Sequence, residues 1–334
     1  MIIKDVIPGF ELYRPTSVAD AVALLDENKK KGIWKLAGGN DSLSWFKDRI
    51  KRPNVVVDLS GIAEMKGVKE TADGIEIGAL TTLSDIERNP IVNKSYKLLA
   101  EAAGKVASPQ IRNSGTIGGN VSQDARCWYY RSGLPCYRAG GNTCFSDTPE
   151  GQNREHAIFD ANRCVAVSQS DMAPTMIALD AKMVIHNAKG ERVVDAQEFF
   201  VGPRIDITRL TQLQPEDLLV AIRIPKEWAG ARFYFEKVTD RYSWDFPLVN
   251  VAAAVKTDAS GTVANSRIAV GGVAATPRRC GVAESTIKGQ KVDQKLAELA
   301  GKSETRGAHP LNYNAYKIPL MANLVMRAVR DAQA

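Results

Sequence analysis

The sequence predicts an α+β fold of two adjoining lobes followed by a third α+β domain, and three observations carry this. Helical and strand periodicities alternate along the first two thirds of the chain, two separated glycine-rich loops interrupt them, and the pattern turns to longer strand-like runs near Pro225. At 334 residues the chain can bury the cores of two or three domains.

The first lobe is expected over residues 1–60. Ser17, with Asp20 three positions on, gives a capping signal ahead of Val18, Ala21, Val22, Leu24 and Leu25, which share one helical face, so a helix should run to about Glu27. Trp34 to Ala37 is a short apolar stretch ending in Gly38-Gly39, and the β-branched run Val55-Val56-Val57 is closed by Asp58 and Gly61, which makes the lobe βαβ-like.

A second lobe is expected over 61–225. Gly74 to Leu80 alternates as a strand, and Leu98 to Ala103 is rich in strong helix formers. Asp171 can cap a helix reaching Ala181, and Met183 to Ile185 and Leu218 to Ile224 read as strands, so the lobe resumes after a cysteine-bearing insertion at about 124–166. In the third domain, 226–334, Arg232 to Val238, Val249 to Val255 and Arg267 to Val273 are strand-like. The last two are joined through a turn at Asp258-Ala259-Ser260-Gly261, and helices are expected around Leu296 and from Tyr316 to Val329.

Composition narrows the function. No segment reaches the apolar length that crosses a bilayer, so no membrane span is expected. The start of the chain, with Lys4, Asp5, Glu11 and Arg14 among short apolar stretches, lacks the pattern of a secretory signal. The net charge of +6 is scattered, without the aromatic-basic stripe of a nucleic-acid surface. With three histidines and no Gly-x-Ser-x-Gly or His-Glu-x-x-His motif, hydrolytic chemistry has little support, and no catalytic residue is assigned.

The loops Ala37-Gly38-Gly39-Asn40-Asp41-Ser42-Leu43 and Ser114-Gly115-Thr116-Ile117-Gly118-Gly119-Asn120-Val121 suit a pyrophosphate. Consecutive glycines let the backbone approach an anion with successive amide hydrogens pointing inward, and Asn40, Ser42, Ser114, Thr116 and Asn120 add short neutral donors. Neither loop has the Rossmann spacing or ends in Gly-Lys-Ser/Thr, so the nicotinamide and nucleoside-triphosphate readings lose their main support. Either loop alone is equally readable as a plain turn.

Cys127, Cys136, Cys144 and Cys164 follow the second loop in a stretch dense in loop-forming residues. Four thiolates can hold a [4Fe–4S] cluster or a tetrahedral zinc ion, and free buried thiols are a third reading; the absence of Cys-x-x-Cys pairs leaves the three open. Cys280 lies far along the chain and reads as an ordinary buried cysteine, and the lone His156 is not needed as a ligand.

Taken in order, Leu36 to Asp41, Ile77-Gly78-Ala79-Leu80-Thr81-Thr82, Ala107 to Asn120, Ser170-Asp171-Met172-Ala173-Pro174 and Gly271-Gly272-Val273-Ala274 resemble the FAD-binding (medium) subunits of the xanthine dehydrogenase and molybdenum hydroxylase family over nearly the whole chain. The resemblance implies a vanillyl-alcohol-oxidase/PCMH-type two-lobed FAD fold with a carboxy-terminal domain like that of the CO dehydrogenase flavoprotein. It implies FAD contacts from Leu36, Ala37, Gly38, Gly39, Asn40, Asp41, Ser42 and Leu43, and from Ala107, Ser114, Gly115, Thr116, Gly118, Gly119 and Asn120. Asp171 matches an acid that contacts the adenosine, although an Asp there can equally be a helix cap. A basic side chain is expected near the flavin from the segment before Leu213, and no residue from Arg204 to Arg209 aligns with it uniquely.

Most such subunits lack the cysteine insertion. The stretches Arg126 to Arg131, Gly140 to Cys144 and Glu150 to Ile158 are most similar to the periplasmic-type aldehyde oxidoreductases, whose insertion holds a [4Fe–4S] cluster. The implied protein is an electron-transfer subunit passing electrons through FAD to an external acceptor. Its implied partners are a large subunit carrying Mo-molybdopterin and a small subunit carrying two [2Fe–2S] clusters, in a heterotrimer or a dimer of heterotrimers. A flavin subunit of a 4-hydroxybenzoyl-CoA reductase, whose ligands are spaced differently, or of an N-heterocycle hydroxylase is the alternative within the family, and a zinc-stapled nucleic-acid-binding module the alternative outside it. The expected location is the cytoplasm, or the periplasm if the complex is exported on a partner's signal.

Overall fold

A computed structural model describes residues 6–332. The first five and last two residues of the expected domains, Lys4 and Asp5 among them, lie outside the described residues.

The first sheet is parallel, β1 (Glu11–Tyr13), β2 (Ile33–Leu36) and β3 (Val55–Asp58), in the order β1-β3-β2. Its middle strand is the β-branched run, with Val55, Val56 and Val57 all buried. A helix over Val18–Asn28 covers it with Ala21 and Leu25, and the Ser17 hydroxyl accepts the Asp20 amide at 3.1 Å, as the capping signal requires.

The second sheet is antiparallel, β4 (Val68–Thr71), β5 (Gly74–Gly78), β6 (Lys182–Asn187), β7 (Gly190–Asp195) and β8 (Leu218–Pro225), in the order β4-β5-β8-β6-β7. Because β8 pairs with both β5 and β6, the chain departs from and returns to one sheet around the whole cysteine stretch. The helices Lys97–Gly104 and Met172–Ala178 pack beneath it in one continuous core.

Two expectations on the second helix are corrected. It stops at Ala178, short of Ala181, because Asp180 takes a φ of +47° and turns the chain into β6. Asp171 does not cap it: its backbone is already helical and its carboxylate is drawn to Lys237, while the Ser170 hydroxyl accepts the Ala173 amide at 3.0 Å.

The third sheet is antiparallel, β9 (Arg232–Val238), β10 (Val249–Thr257), β11 (Val263–Gly271) and β12 (Arg278–Arg279), in the order β12-β11-β10-β9. Strand β11 begins four residues before the expected Arg267, since the hairpin register pairs Thr257 with Val263 and carries the polar Asn265 and Ser266 into the ladder. Strand β10 joins two cores by its alternation: Val251, Ala253 and Val255 face the helices Gln294–Glu304 and Lys317–Asp331, and Ala252 and Ala254 face the core under the second sheet. No helix among the described residues is long and apolar enough to cross a membrane.

Candidate functional site

The two glycine loops meet. Gly38 lies so close to the second loop that a Cβ on it would stand 2.0 Å from the Ser114 carbonyl oxygen. The Asn40 side chain donates through Nδ2 to the Ile111 carbonyl at 3.2 Å and to the Ser114 hydroxyl at 3.1 Å, which pins the loops together while its backbone amide stays unpaired among the described residues.

Their roles divide. In the first loop Gly39 has a φ of +78°, and the amides of Gly39, Asn40 and Asp41 donate to no protein group among the described residues, so they remain available to an anion. In the second loop four successive amides are already used. Ile117 donates to Thr81, Gly118 to Ala79, Gly119 to the Thr116 hydroxyl and Asn120 to the Thr116 carbonyl. The expectation that both loops offer rows of free amides therefore holds for the first alone; the second contributes a close-packed floor and side-chain hydroxyls.

Two adjoining cavities of about 210 and 290 Å³ lie along these loops and share Trp34, Lys35, Ala37, Gly119 and Asp124. Ala37 to Ser42 line the first, with Gly115, Thr116, Gly119 and Asn120; Gly118 reaches the second. Five expected contact residues line neither. Leu36 packs into an aromatic cluster with Trp34 and Phe46, and Leu43 faces solvent. The Ala107 carbonyl holds the Trp244 amide at 2.9 Å, and Ser114 is tied to Asn40. Asp171 is buried with Lys237 at 2.7 Å and Asn250 at 3.3 Å, and burial raises its carboxyl to about 6 against the pull of Lys237.

Several lining residues carry no motif. Lys35 donates to the carbonyls of Gln214, Pro215 and Asp217, and burial lowers its ammonium to about 8 although Asp217 and Glu216 oppose this. Burial disfavours ionised Asp124, but Arg138 and Lys51, the latter at 3.2 Å, outweigh it and hold the carboxyl below its usual range. In the segment from Arg204 to Arg209, Arg209 is the arginine that lines the second cavity, fixed by Asp206 at 2.7 Å and by the Leu213 carbonyl at 3.1 Å. Asp124 and Arg126 could be suspected from their place directly after the second loop; the position of Arg209 depends on a crossover that has no local signature.

The cysteine stretch is fastened to the first loop. Asp41 pairs with Arg126 at 3.0 Å and Arg131 at 3.4 Å, and Arg131 stacks 4.0 Å over the Trp45 ring. Cys127, Cys136, Cys144 and Cys164 all line one small hollow beside Arg138. Burial pushes the Cys144 and Cys164 thiols up, against the opposing pull of nearby backbone amides and, at Cys164, of Arg138. Among the described residues no three His, Cys, Asp or Glu side chains converge on one point suited to a metal ion. Four thiols nonetheless ring one hollow, the soft donor set that a thiolate-held centre uses. Cys280 is fully buried in the core of the third sheet, as expected.

His156 is buried beside Cys127, its Nε2 3.3 Å from the sulfur and 3.0 Å from the Ser146 hydroxyl. Burial, then the Lys317 charge, lowers it to about 4. The far half of the insertion is held by the carboxy-terminal segment: Asn314 donates to the carbonyls of His156 and Ala157, Asn153 accepts the Tyr313 amide at 3.0 Å, and Lys317 donates to the carbonyls of Glu155 and Gly272.

Residues 8–227 match the family described as the FAD binding domain in molybdopterin dehydrogenase, and 233–332 match the CO dehydrogenase flavoprotein C-terminal domain. The chain is 32% identical over 318 residues to the aldehyde oxidoreductase FAD-binding subunit PaoB of Escherichia coli strain K12, covering 94% of this chain and 96% of the relative. It is 30% identical over 331 residues to the carbon monoxide dehydrogenase medium chain of Hydrogenophaga pseudoflava, covering 98% of each. Among solved structures, the cyanide-inactivated Cu,Mo-CO dehydrogenase superposes with a TM-score of 0.78 at 26% identity, over 98% of this chain and 99% of the other.

Proposed function

The chain belongs to the family of FAD-binding subunits of molybdopterin dehydrogenases, and from that premise we propose that it serves a molybdenum-containing aldehyde oxidoreductase, binding FAD in the cleft between the glycine loops and a [4Fe–4S] cluster through Cys127, Cys136, Cys144 and Cys164. A bound flavin accepts single electrons and hands on one or two, so the residues of this chain have to position and tune rather than react. Their counterparts in the proposed assembly are a large Mo-molybdopterin subunit, a small [2Fe–2S] subunit and an external electron acceptor.

The observation that carries the reading is the row of unpaired amides at Gly39, Asn40 and Asp41 facing a cavity floored by the second loop. These amides offer a diphosphate three donors without a charged partner, and Ser42 and Thr116 stand beside them with hydroxyls. Leu36, Leu43, Ala107 and Ser114 would act by shaping the loops from outside the cavities, and Asp171 by anchoring the segment after the insertion to β9. Arg209 and Lys51 bring positive charge to the second cavity, suited to a ring system that gains negative charge on reduction.

The four cysteines around one hollow support the cluster, and the match to the aldehyde oxidoreductase subunit supports the substrate class. The test is to purify the complex with its native partners and measure flavin, iron and sulfide per chain, then turnover with aldehydes, N-heterocycles and hydroxybenzoyl-CoA. Stoichiometric flavin with about four irons in this chain and turnover of aldehydes is expected; zinc in place of iron, or turnover confined to another substrate class, would refute the corresponding part.

A further inference from the structure

We propose that His156 and Ser146 brace the Cys127 sulfur with two hydrogen bonds and so set the reduction potential of the cluster held there; this rests on the [4Fe–4S] reading above. The three atoms form a closed triangle: Nε2 to Sγ 3.3 Å, Oγ to Sγ 3.3 Å, and Nε2 to Oγ 3.0 Å. Ser146 and His156 are 1% and 4% exposed, so water does not compete for these donors.

The direction of the bonds follows from what surrounds the ring. Nδ1 of His156 is buried with no partner among the described residues. A proton there would be a donor sealed from every acceptor, so the proton belongs on Nε2, which points into the triangle. The Ser146 hydroxyl then directs its own hydrogen at the sulfur. The backbones that carry both side chains are pinned, since the Asn153 side chain donates to the Ser146 carbonyl at 3.0 Å, the Asn153 backbone carbonyl accepts the His156 amide at 3.1 Å, and Asn314 donates to the His156 carbonyl at 3.0 Å.

Cys127 is the one cysteine of the four whose sulfur lies within hydrogen-bond reach of side-chain donors among the described residues. Hydrogen bonds to a ligating sulfur stabilise the more negative, reduced state and raise the potential. The electron lost or gained is the cluster's own, and no proton needs to move, since both donors stay protonated throughout.

The experiment is a redox titration of the intact complex, following the reduced cluster by electron paramagnetic resonance and the flavin by absorbance, for wild type, Ser146→Ala, His156→Leu and His156→Gln. Removing a donor should disfavour reduction about tenfold, a downward shift of about 59 mV for one electron, with the flavin midpoint unmoved; His156→Gln, which retains a donor, should recover part of it. A cluster present at an unchanged potential in both Ser146→Ala and His156→Leu overturns the brace and leaves the cluster reading intact. Wild-type complex with flavin and no iron overturns both. Ser146→Ala, the smaller change, decides if His156→Leu does not assemble.

Discussion

The carbonyl oxygen of Ser114 occupies the place where Gly38 would carry a Cβ, at 2.0 Å from it. Gly38→Ala must therefore push the two loops apart, at a cost of about 1–3 kcal/mol by analogy with overpacked cores. Flavin affinity is expected to fall about tenfold or more, read by fluorescence titration of the apoprotein. Wild-type affinity in this variant would show that the loops need not touch to hold the nucleotide.

Asp41 links the first loop to both arginines that flank Cys127 along the chain. All three side chains are largely shielded, so Asp41→Ala should cost about 1–2 kcal/mol in urea unfolding, between the exposed and the buried extremes for ion pairs. Combining it with Arg126→Gln should cost clearly less than the sum of the two changes. Strict additivity would mean the pair does not couple loop and insertion.

Gly141 packs against the Pro135 carbonyl, with only 1.7 Å left for a Cβ, and its own amide donates to Cys136. Gly141→Ala should distort the approach to Cys136 while leaving the glycine loops alone. Iron content is expected to drop by more than half with flavin content retained, measured on the same preparation. Equal loss of both, or of neither, contradicts that separation.

Asp217, whose side chain is 1% exposed, accepts both terminal nitrogens of Arg192 as well as Asn187 and the Gln214 amide. Burial works against its ionisation, but these bonds prevail and hold the carboxyl at about 2. A depressed acid contributes stability that is complete above its unfolded value near 3.8 and is lost as pH falls toward 2, here about 2 kcal/mol. Asp217→Asn should thus be destabilised by a constant amount from pH 7 to 4, with the gap to wild type narrowing below pH 4; a gap that widens there would reverse the assignment.

Much of the fold was legible because its signals are local. Val55 to Val57 as a buried strand, the Ser17 cap and the span of β9 follow from residue type and period alone. The short helices Ser42–Lys47 and Ile117–Val121 escaped because each is under two turns long and follows or contains a glycine pair that reads as loop. Gly38 to Ser42 and the four cysteines, which line the first cavity and the small hollow, stand out in the sequence by composition and clustering. Lys35, Lys51 and Arg209 do not, since β8 and the preceding crossover bring them together from sequence distances that no pattern records. Asp171 shows the converse: its residue type and position suited a helix cap, and its carboxylate instead accepts from a lysine 66 positions away.

The carboxy-terminal segment clasps the far half of the cysteine stretch through Tyr313, Asn314 and Lys317. On a growing chain the holds on Asn153, Glu155, His156 and Ala157 are accordingly missing until the start of the last helix has left the ribosome. A chain clipped shortly before residue 310 would retain both glycine loops yet lose every one of these holds on the cysteine stretch.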